Sequence, residues 1–457
     1  MKHIIYLIAL CALMCGCSVY RNYERPEDLP VDSLYRKDAV AQLPSDTAPL
    51  GDLPWKEVFR DTVLQHLIEK GLSNNTDMQL ALLRLDQAQA RLNAAKLAYL
   101  PSLSVSAQGS VSKSDGSAAV KSYQIPLQAE WEIDLFGKLR NAKKEAQATM
   151  LGQRAYCRAV RSELVANIAN SYVSLLMLDE QLKITDNTIE LWKEQVRTME
   201  SMWRVGETTE NAVTSARANL TGIEAVRLEL LRQQYETENA VCILLGITSQ
   251  PVKRGTLEEQ RFPEQLNTGI PLRLLSRRPD IVQAEMSLAA AYYSTGQARA
   301  AFYPSLVLSG SAGWTNSLGQ AIRNPGGWIL SALASLTQPL FNRGKLVSNL
   351  RVSKDEEQIA LLNYKQALLD AGQEVNNALY ACESGRKLIE IHSRQCRELE
   401  RTVFTTESLY RTGNATYLEL LTAQQSLLDA RLELVADRVA YMQNIITLYN
   451  ALGGGSE

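Results

Sequence analysis

The sequence is poor in the residues that carry chemistry. Its three histidines, His3, His66 and His392, are scattered. It has no phosphate-cradling glycine loop and no nucleophile motif. No cysteine spacing suits a metal. Enzyme chemistry, a resident metal and a bound cofactor are therefore not expected. Net charge is nearly absent as well. The 48 basic and 50 acidic residues leave −2, so no basic face is offered to nucleic acid. Phenylalanine is rare, at 6 residues, and the 46% hydrophobic content comes mostly from alanine and leucine. That suits long helices better than a thick globular core. The N-terminal apolar run Ile4–Met14 is too short to cross a bilayer as a helix.

That run, preceded by Lys2 and His3, makes residues 1–16 a signal peptide. Gly16-Cys17 is similar to the cleavage site of a bacterial lipoprotein, so Cys17 is the candidate for acylation by palmitate. The alternative is an ordinary secretory signal with incidental cysteines. Pro26, Pro30, Pro44, Pro49 and Pro54 punctuate residues 17–54, which read as an extended, lipid-anchored tether. Four further cysteines remain, Cys157, Cys242, Cys382 and Cys396. On one helix, Cys382 and Cys396 would stand roughly 21 Å apart, beyond disulfide reach. Buried, unpaired thiols are expected.

What the chain does have is an internal duplication. Tyr99-Leu100-Pro101-Ser102-Leu103 returns as Phe302-Tyr303-Pro304-Ser305-Leu306. Leu135-Phe136-Gly137-Lys138 returns around Leu340 to Lys345. Trp203-Arg204-Val205-Gly206 returns as Tyr410-Arg411-Thr412-Gly413. Pro101 and Pro304 lie 203 residues apart, Gly206 and Gly413 207 apart. The copies span 55–247 and 277–452, with a loop-rich joint at 248–276 and a flexible tail at 453–457. In each copy, two alternating stretches precede two very long helical ones. Leu80, Leu83, Ala90, Ala94 and Leu97 suggest one helical stripe before Pro101. Lys138 to Met202 contains no proline, which predicts a helix of roughly 100 Å. Breaks at Gly206 and Gly413 separate each long helix from a shorter one. Helices of this length must pack lengthwise, as coiled-coil or bundle partners.

The alternating stretches predict strands at 102–112, 121–134, 305–316 and 327–339. Tyr123, Ile125, Leu127, Ala129, Trp131 and Ile133 face one way; Ser122, Gln124, Gln128, Glu130, Glu132 and Asp134 face the other. In the fourth stretch Ile329 and Leu333 fall on the polar side. Such lengths suit a transmembrane β-barrel, whose strands need roughly 9 to 11 residues. Unpaired strand edges are not tolerated in hydrocarbon, and barrels start at about eight strands. Four strands cannot close one, so copies must share it; three copies would supply about twelve. Hydroxyl and acidic faces would then line water. Trp131, Trp314 and Trp328 would anchor the apolar face at the membrane interfaces. A soluble sheet between coiled coils is the alternative.

Leu274-Leu275-Ser276-Arg277-Arg278-Pro279-Asp280-Ile281, followed by Ala284-Glu285, adds a more specific signal. So do Cys17 with Tyr23-Glu24-Arg25-Pro26, Trp55 with Phe59, and Asn75 with Asp77. In this order and in duplicate, these pieces resemble the outer membrane factor family, the TolC-like conduits, and within it the lipoprotein efflux branch of the NodT/OprM type. The resemblance implies a mixed α and β membrane protein. It would form a homotrimeric, twelve-stranded barrel, four strands per chain, continuous with a long periplasmic α-helical barrel. It implies a passive exit duct in the outer membrane, completed by a periplasmic adaptor (a membrane fusion protein) and an inner-membrane transporter of RND type. It places adaptor docking at the tips marked by Arg204, Gly206, Arg411 and Gly413. It also places a periplasmic constriction at Leu418, Glu419 and Thr422. Both arginines have a second reading, as caps for exposed helix carbonyls. The family commonly carries aspartate where Thr422 stands, so Glu419 is the candidate for a ring of carboxylates, which selects cations.

Two other functions fit parts of this pattern. A duct for type I-like protein secretion would keep the pore and change the cargo. A structural lipoprotein tethering envelope layers would keep the coiled coils and leave the alternating strands without a purpose.

Overall fold

Proline decides where the first helices stop and the sheet begins. The computed structural model describes residues 22–27, 29, 34, 49–263, 277–316 and 327–456. The expected signal peptide, Cys17, most of the tether and the later part of the joint lie outside the described residues. Helices α1 (Trp55–Val58), α2 (Thr62–Asn74) and α3 (Thr76–Leu97) come first. Asp61 caps α2, its carboxylate accepting from the Val63 and Leu64 N–H groups. Pro101 then bars any continuation of α3. Strands β1 (Ser102–Val105), β2 (Gln108–Ser112) and β3 (Val120–Ile133) follow, then helices α4 (Lys138–Arg204) and α5 (Glu210–Leu244). The second copy runs α6 (Pro279–Ala300), β4 (Ser305–Asn316), β5 (Gly327–Thr337), α7 (Lys345–Arg411) and α8 (Tyr417–Ala451). The duplication is strict in the long elements: α4 and α7 each hold 67 residues, α5 and α8 each 35.

The stretch expected as one strand over 102–112 is two, β1 and β2, and both pair with β3 in one register. Pro126 explains the gap. It has no N–H to give; the Ser106 N–H still donates to its carbonyl, and the ladder resumes at Gln108. β5 ends at Thr337, short of the expected 339.

The compact units do not follow the two copies; each takes parts of both. One unit comprises Met1–Leu29, Leu83–Ala155 and Val282–Gln366 and holds the whole sheet. Its small core packs Ala88, Leu92 and Met150. Here two sequence signatures meet: the Arg25 guanidinium binds Glu285 through two bonds of 2.8 and 2.6 Å. Glu285 is only 7% exposed, so this bidentate pairing satisfies a nearly buried charge. In α3, the expected stripe of Leu80, Leu83 and Leu97 is exposed; Ala81, Ala88 and Leu92 are the buried positions. Their spacing is also helical, and periodicity alone does not say which of two stripes is covered.

The other unit comprises Pro30–Leu82, Tyr156–Ile281 and Ala367–Glu457. Its core is a series of clusters along the long helices, such as Ile189, Trp192, Ile223, Leu421 and Leu428. Each fully buried aliphatic side chain there contributes about 1.5–3 kcal/mol. The Arg277-Arg278-Pro279-Asp280 signature serves this packing. Arg277 pairs with Asp52. Buried Arg278 donates to the Ala451 carbonyl at 2.9 Å and pairs with Asp280 and Glu374, closing the C-terminus of α8. Pro279 is the first residue of α6, where its missing N–H costs nothing. The tail expected to be flexible is packed instead. Gly453, Gly454 and Gly455 are buried, and the Gly455 N–H donates to the Tyr449 hydroxyl at 2.8 Å. The described part of the joint is similarly tied down, Arg254 pairing with Asp179 and Glu238. All four described cysteines are buried and unpaired; burial pushes the Cys382 thiol up to about 12.

Candidate functional site

The sheet has two chemically distinct faces. Paired residues share a face, so the registers assign every side chain. Ile125 lies opposite Trp314, Leu127 opposite Ala312 and Trp131 opposite Leu308. Leu306, Ala312 and Trp314 lie in turn opposite Leu336, Leu330 and Trp328. Leu103 and Val105 extend the same face through Ala129 and Leu127. The side chains on this face are mostly exposed in a single chain, with Trp328 at 76% and Leu330 at 86%. An apolar surface that continuous is not left to water.

The opposite face is built of hydroxyls and amides. Ser110 and Ser122 contact at 2.7 Å, as do Ser311 and Ser331; Gln124 donates to Gln108 at 3.0 Å. Only Glu130 and Glu132 carry charge on this face among the described strand residues. Glu132 is paired with Lys138 at 2.8 Å. Ile329 and Leu333 are indeed on this face, Ile329 opposite side-chain-free Gly313. The meander order β1/β2–β3–β4–β5 leaves β5 paired only with β4, and β1 and β2 only with β3, among the described residues. Among the described residues, both outer edges are open.

The three expected tryptophans all lie on the apolar face, near both ends of the strands. Trp314 and Trp328 face each other, ring centroids 5.1 Å apart. Trp131 donates from Nε1 to the Tyr99 carbonyl at 2.8 Å. Six residues along β3 separate Trp131 from Ile125, the partner of Trp314, a rise of about 20 Å. That approaches the ~25 Å apolar band of a membrane barrel.

The two helix tips are built alike. Gly206 and Gly413 are left-handed, with φ of 81° and 73°, which glycine adopts without strain. The Glu207 and Gly206 N–H groups donate to the Met202 and Trp203 carbonyls, and Asn414 and Gly413 repeat this on Leu409 and Tyr410. This backbone closure satisfies the last carbonyls. Capping therefore does not require the arginines. Arg411 instead pairs with Glu407 at 2.6 Å, and Arg204 is exposed.

Beyond the second tip, Leu418 is 71% exposed. The Glu419 carboxylate accepts from the Thr416 backbone N–H at 2.6 Å and from its hydroxyl at 2.9 Å. These bonds hold its pKa below the usual carboxylate range. Thr422 turns its hydroxyl back to the Leu418 carbonyl. Sequence reasoning missed the capping role of Glu419, although Thr416-x-x-Glu419 carries its signature.

Comparison with known proteins gives this arrangement its context. The outer membrane efflux protein family matches residues 67–247 and 270–454. The cation efflux system protein CusC of Escherichia coli is 30% identical over 98% of both chains. The toluene efflux pump outer membrane protein TtgC of Pseudomonas putida is 28% identical, covering 99% of this chain and 96% of its own. The outer-membrane channel OprN superposes with a TM-score of 0.88 at 27% identity, over 96% of this chain and 100% of that one. The chain, with its two-faced sheet and paired long helices, belongs to the outer membrane efflux protein family.

Proposed function

We propose that three copies of this chain form the outer-membrane exit duct of a tripartite efflux pump. One observation carries this reading: a meander of four strand positions, the first shared by β1 and β2, with one apolar face, one hydroxyl-rich face and, among the described residues, two open edges. Such a sheet cannot sit alone in hydrocarbon, and three would close about twelve strands around water. The apolar face then meets outer-membrane lipid, with Trp131, Trp314 and Trp328 at the interfaces and an acyl chain on Cys17. The long helices continue the conduit through the periplasm. A periplasmic adaptor docks at the tips around Arg204, Gly206, Arg411 and Gly413. Leu418, Glu419 and Thr422 form the constriction. An inner-membrane transporter of RND type supplies the energy, so the duct is a passive channel rather than an enzyme.

Relatives of nearly equal similarity are named for cations and for toluene. Cargo is therefore selected upstream, and small molecules as a class are the assignment here. Blue-native electrophoresis of the purified, lipidated protein should show a trimer. Planar-bilayer recording should show stepwise conductance. A monomer without conductance refutes the reading.

A further inference from the structure

The first copy carries a cluster of cations that the second largely lacks. Arg140, Lys143 and Lys144 occupy the first two turns of α4, with no acid anywhere in residues 138–144. A helix dipole favours the opposite charge there. The left-handed glycines Gly137 and Gly344 set a 207-residue offset between the copies. At that offset Arg140 and Lys143 become Val347 and Leu350, and only Arg351 keeps the charge of Lys144. A long helix at this place therefore does not require the three cations.

Two contacts set their depth. Lys143 Nζ lies 5.8 Å from the centre of the Tyr99 ring. The Tyr99 carbonyl in turn holds Trp131, at the end of β3 that leads into α4. Burial and then Asp134 push the Tyr99 phenol above its usual value, and Arg140 opposes them, so Arg140 stands beside the same residue. Lys144 Nζ lies 5.3 Å from the centre of the Tyr293 ring and donates to Asn22 Oδ1. Five residues of chain separate Asn22 from Cys17, at most about 18 Å when extended. Along α4 the two lysines stand about 8–9 Å from Lys138. A headgroup layer is about 5–8 Å thick, and a lysine stem reaches toward it.

The acids flanking this run are engaged elsewhere. Glu132 pairs with Lys138, Asp134 accepts from the Leu139 and Arg140 N–H groups, and Glu145 accepts from Gln297. Among the described residues, Arg140, Lys143 and Lys144 make no ion pair. We infer that these three side chains bind the phosphate of an anionic phospholipid headgroup at the periplasmic rim of the barrel, one site per chain. Charge-assisted bonds from lysine and arginine suit a phosphodiester. Three cations around one such group leave positive charge over, so a headgroup without an ammonium of its own, such as phosphatidylglycerol, fits better than a zwitterionic one. The cluster lies where the lipid-bearing tether meets α4, which explains why the second copy does without it.

This inference rests on the outer-membrane duct reading above. Native mass spectrometry of the full-length, lipidated trimer tests it, with phosphatidylglycerol, phosphatidylcholine or inorganic phosphate added in turn. The wild type should retain up to three phosphatidylglycerols per trimer, several-fold more than phosphatidylcholine, and no phosphate ion at the same concentration. Arg140→Gln with Lys143→Gln leaves the Lys144–Asn22 contact in place and should cut that retention about tenfold or more. Arg140→Lys with Lys143→Arg should retain it. Arg351→Gln with Lys354→Gln, on α7, should leave it unchanged. Undiminished retention in the glutamine pair, equal loss in the charge-conserving pair or the α7 pair, equal retention of the two lipids, or phosphate held as tightly as phosphatidylglycerol would each overturn the site and leave the duct standing. A wild-type chain that forms no trimer would overturn the duct reading beneath it.

Discussion

The two halves of the chain match in the lengths of their long helices and in the backbone turns at their tips, yet they differ wherever a side chain faces something different. Both tips close on a left-handed glycine and open the next helix with threonine, Thr209 and Thr416. The second tip adds Glu419 to complete a capping box; the first has Ala212 at that place. Trp203 is exposed at the first tip. Its counterpart Tyr410 turns inward, its hydroxyl 3.7 Å from the Met199 sulfur. Duplication thus preserves what the backbone needs and frees side chains to serve different neighbours.

The sheet shows the same rule most sharply, and breaking it there has the largest effect. Position 313 is glycine in the interior of the sheet, and its equivalent 110 is serine at the edge. A Cβ at 313 would lie 2.3 Å from the Ile125 carbonyl oxygen and 2.5 Å from the Pro126 Cα. Gly313→Ser should cost about 1–3 kcal/mol or more through overpacking, and the yield of assembled trimer should collapse. Ser110→Gly should leave assembly nearly unchanged. Equal effects in a native-gel and thermal-stability assay would show that the close approach to Pro126 does not govern the interior position.

The tips should respond alike to a backbone change. Gly206 and Gly413 meet nothing within 4 Å of a built Cβ, so alanine there strains only the backbone. Each substitution should cost about 1–2 kcal/mol, with matched drops in melting temperature. A marked difference would mean that one turn has a second constraint. Arginine variants should then part company. Arg411→Ala breaks an exposed pair worth at most about 1 kcal/mol, so neither it nor Arg204→Ala should shift melting measurably. If the tips dock the adaptor, both should reduce its co-purification, Arg204→Ala more, because that guanidinium needs no ion pair broken to be used.

Much of this architecture could be read from residues alone, for a physical reason. Strict alternation, the absence of proline from the long helices and the doubled glycine breaks are local signals, and each is decided by backbone rules. The strands near 121–134 and 305–316 and all four long helices follow from them. What could not be read depends on contacts distant in sequence. The split of β1 from β2 comes from Pro126 on a neighbouring strand. The buried stripe of α3 depends on which helices cover it. Arg278, quoted for its motif, turns out to close the end of α8, 173 residues away. The tail Gly453–Ser456 looked loose because glycine usually is, and Tyr449 holds it. The candidate site residues are marked in the sequence by charge and motif, neither of which reports local geometry. Glu419 was picked for its charge, and its geometry is that of a cap.

The capping geometry of Glu419, beside its proposed place in the constriction, supports the subtlest test. Its pKa is lowered in the folded chain, first by the Thr416 backbone N–H and then by its hydroxyl. A carboxylate depressed on folding adds stability above its unfolded value, and the contribution is lost as pH falls through the folded value. The wild type should therefore lose a small increment of melting temperature on acidification below the ordinary carboxylate value of about 4.3. Glu419→Gln retains a capping side chain without titrating, so that acid limb should flatten. Ala212→Glu should build the missing box at the first tip and steepen it. The bilayer reversal potential reads the other role. A glutamate that only caps leaves ion selectivity unchanged on substitution by glutamine. One that also contributes to a three-fold ring lowers cation preference, because fixed negative charge in a narrow pore concentrates cations. The two readouts are independent, and a flattened acid limb with unaltered selectivity would reduce Glu419 to a cap and shift the constriction to Leu418 and Thr422.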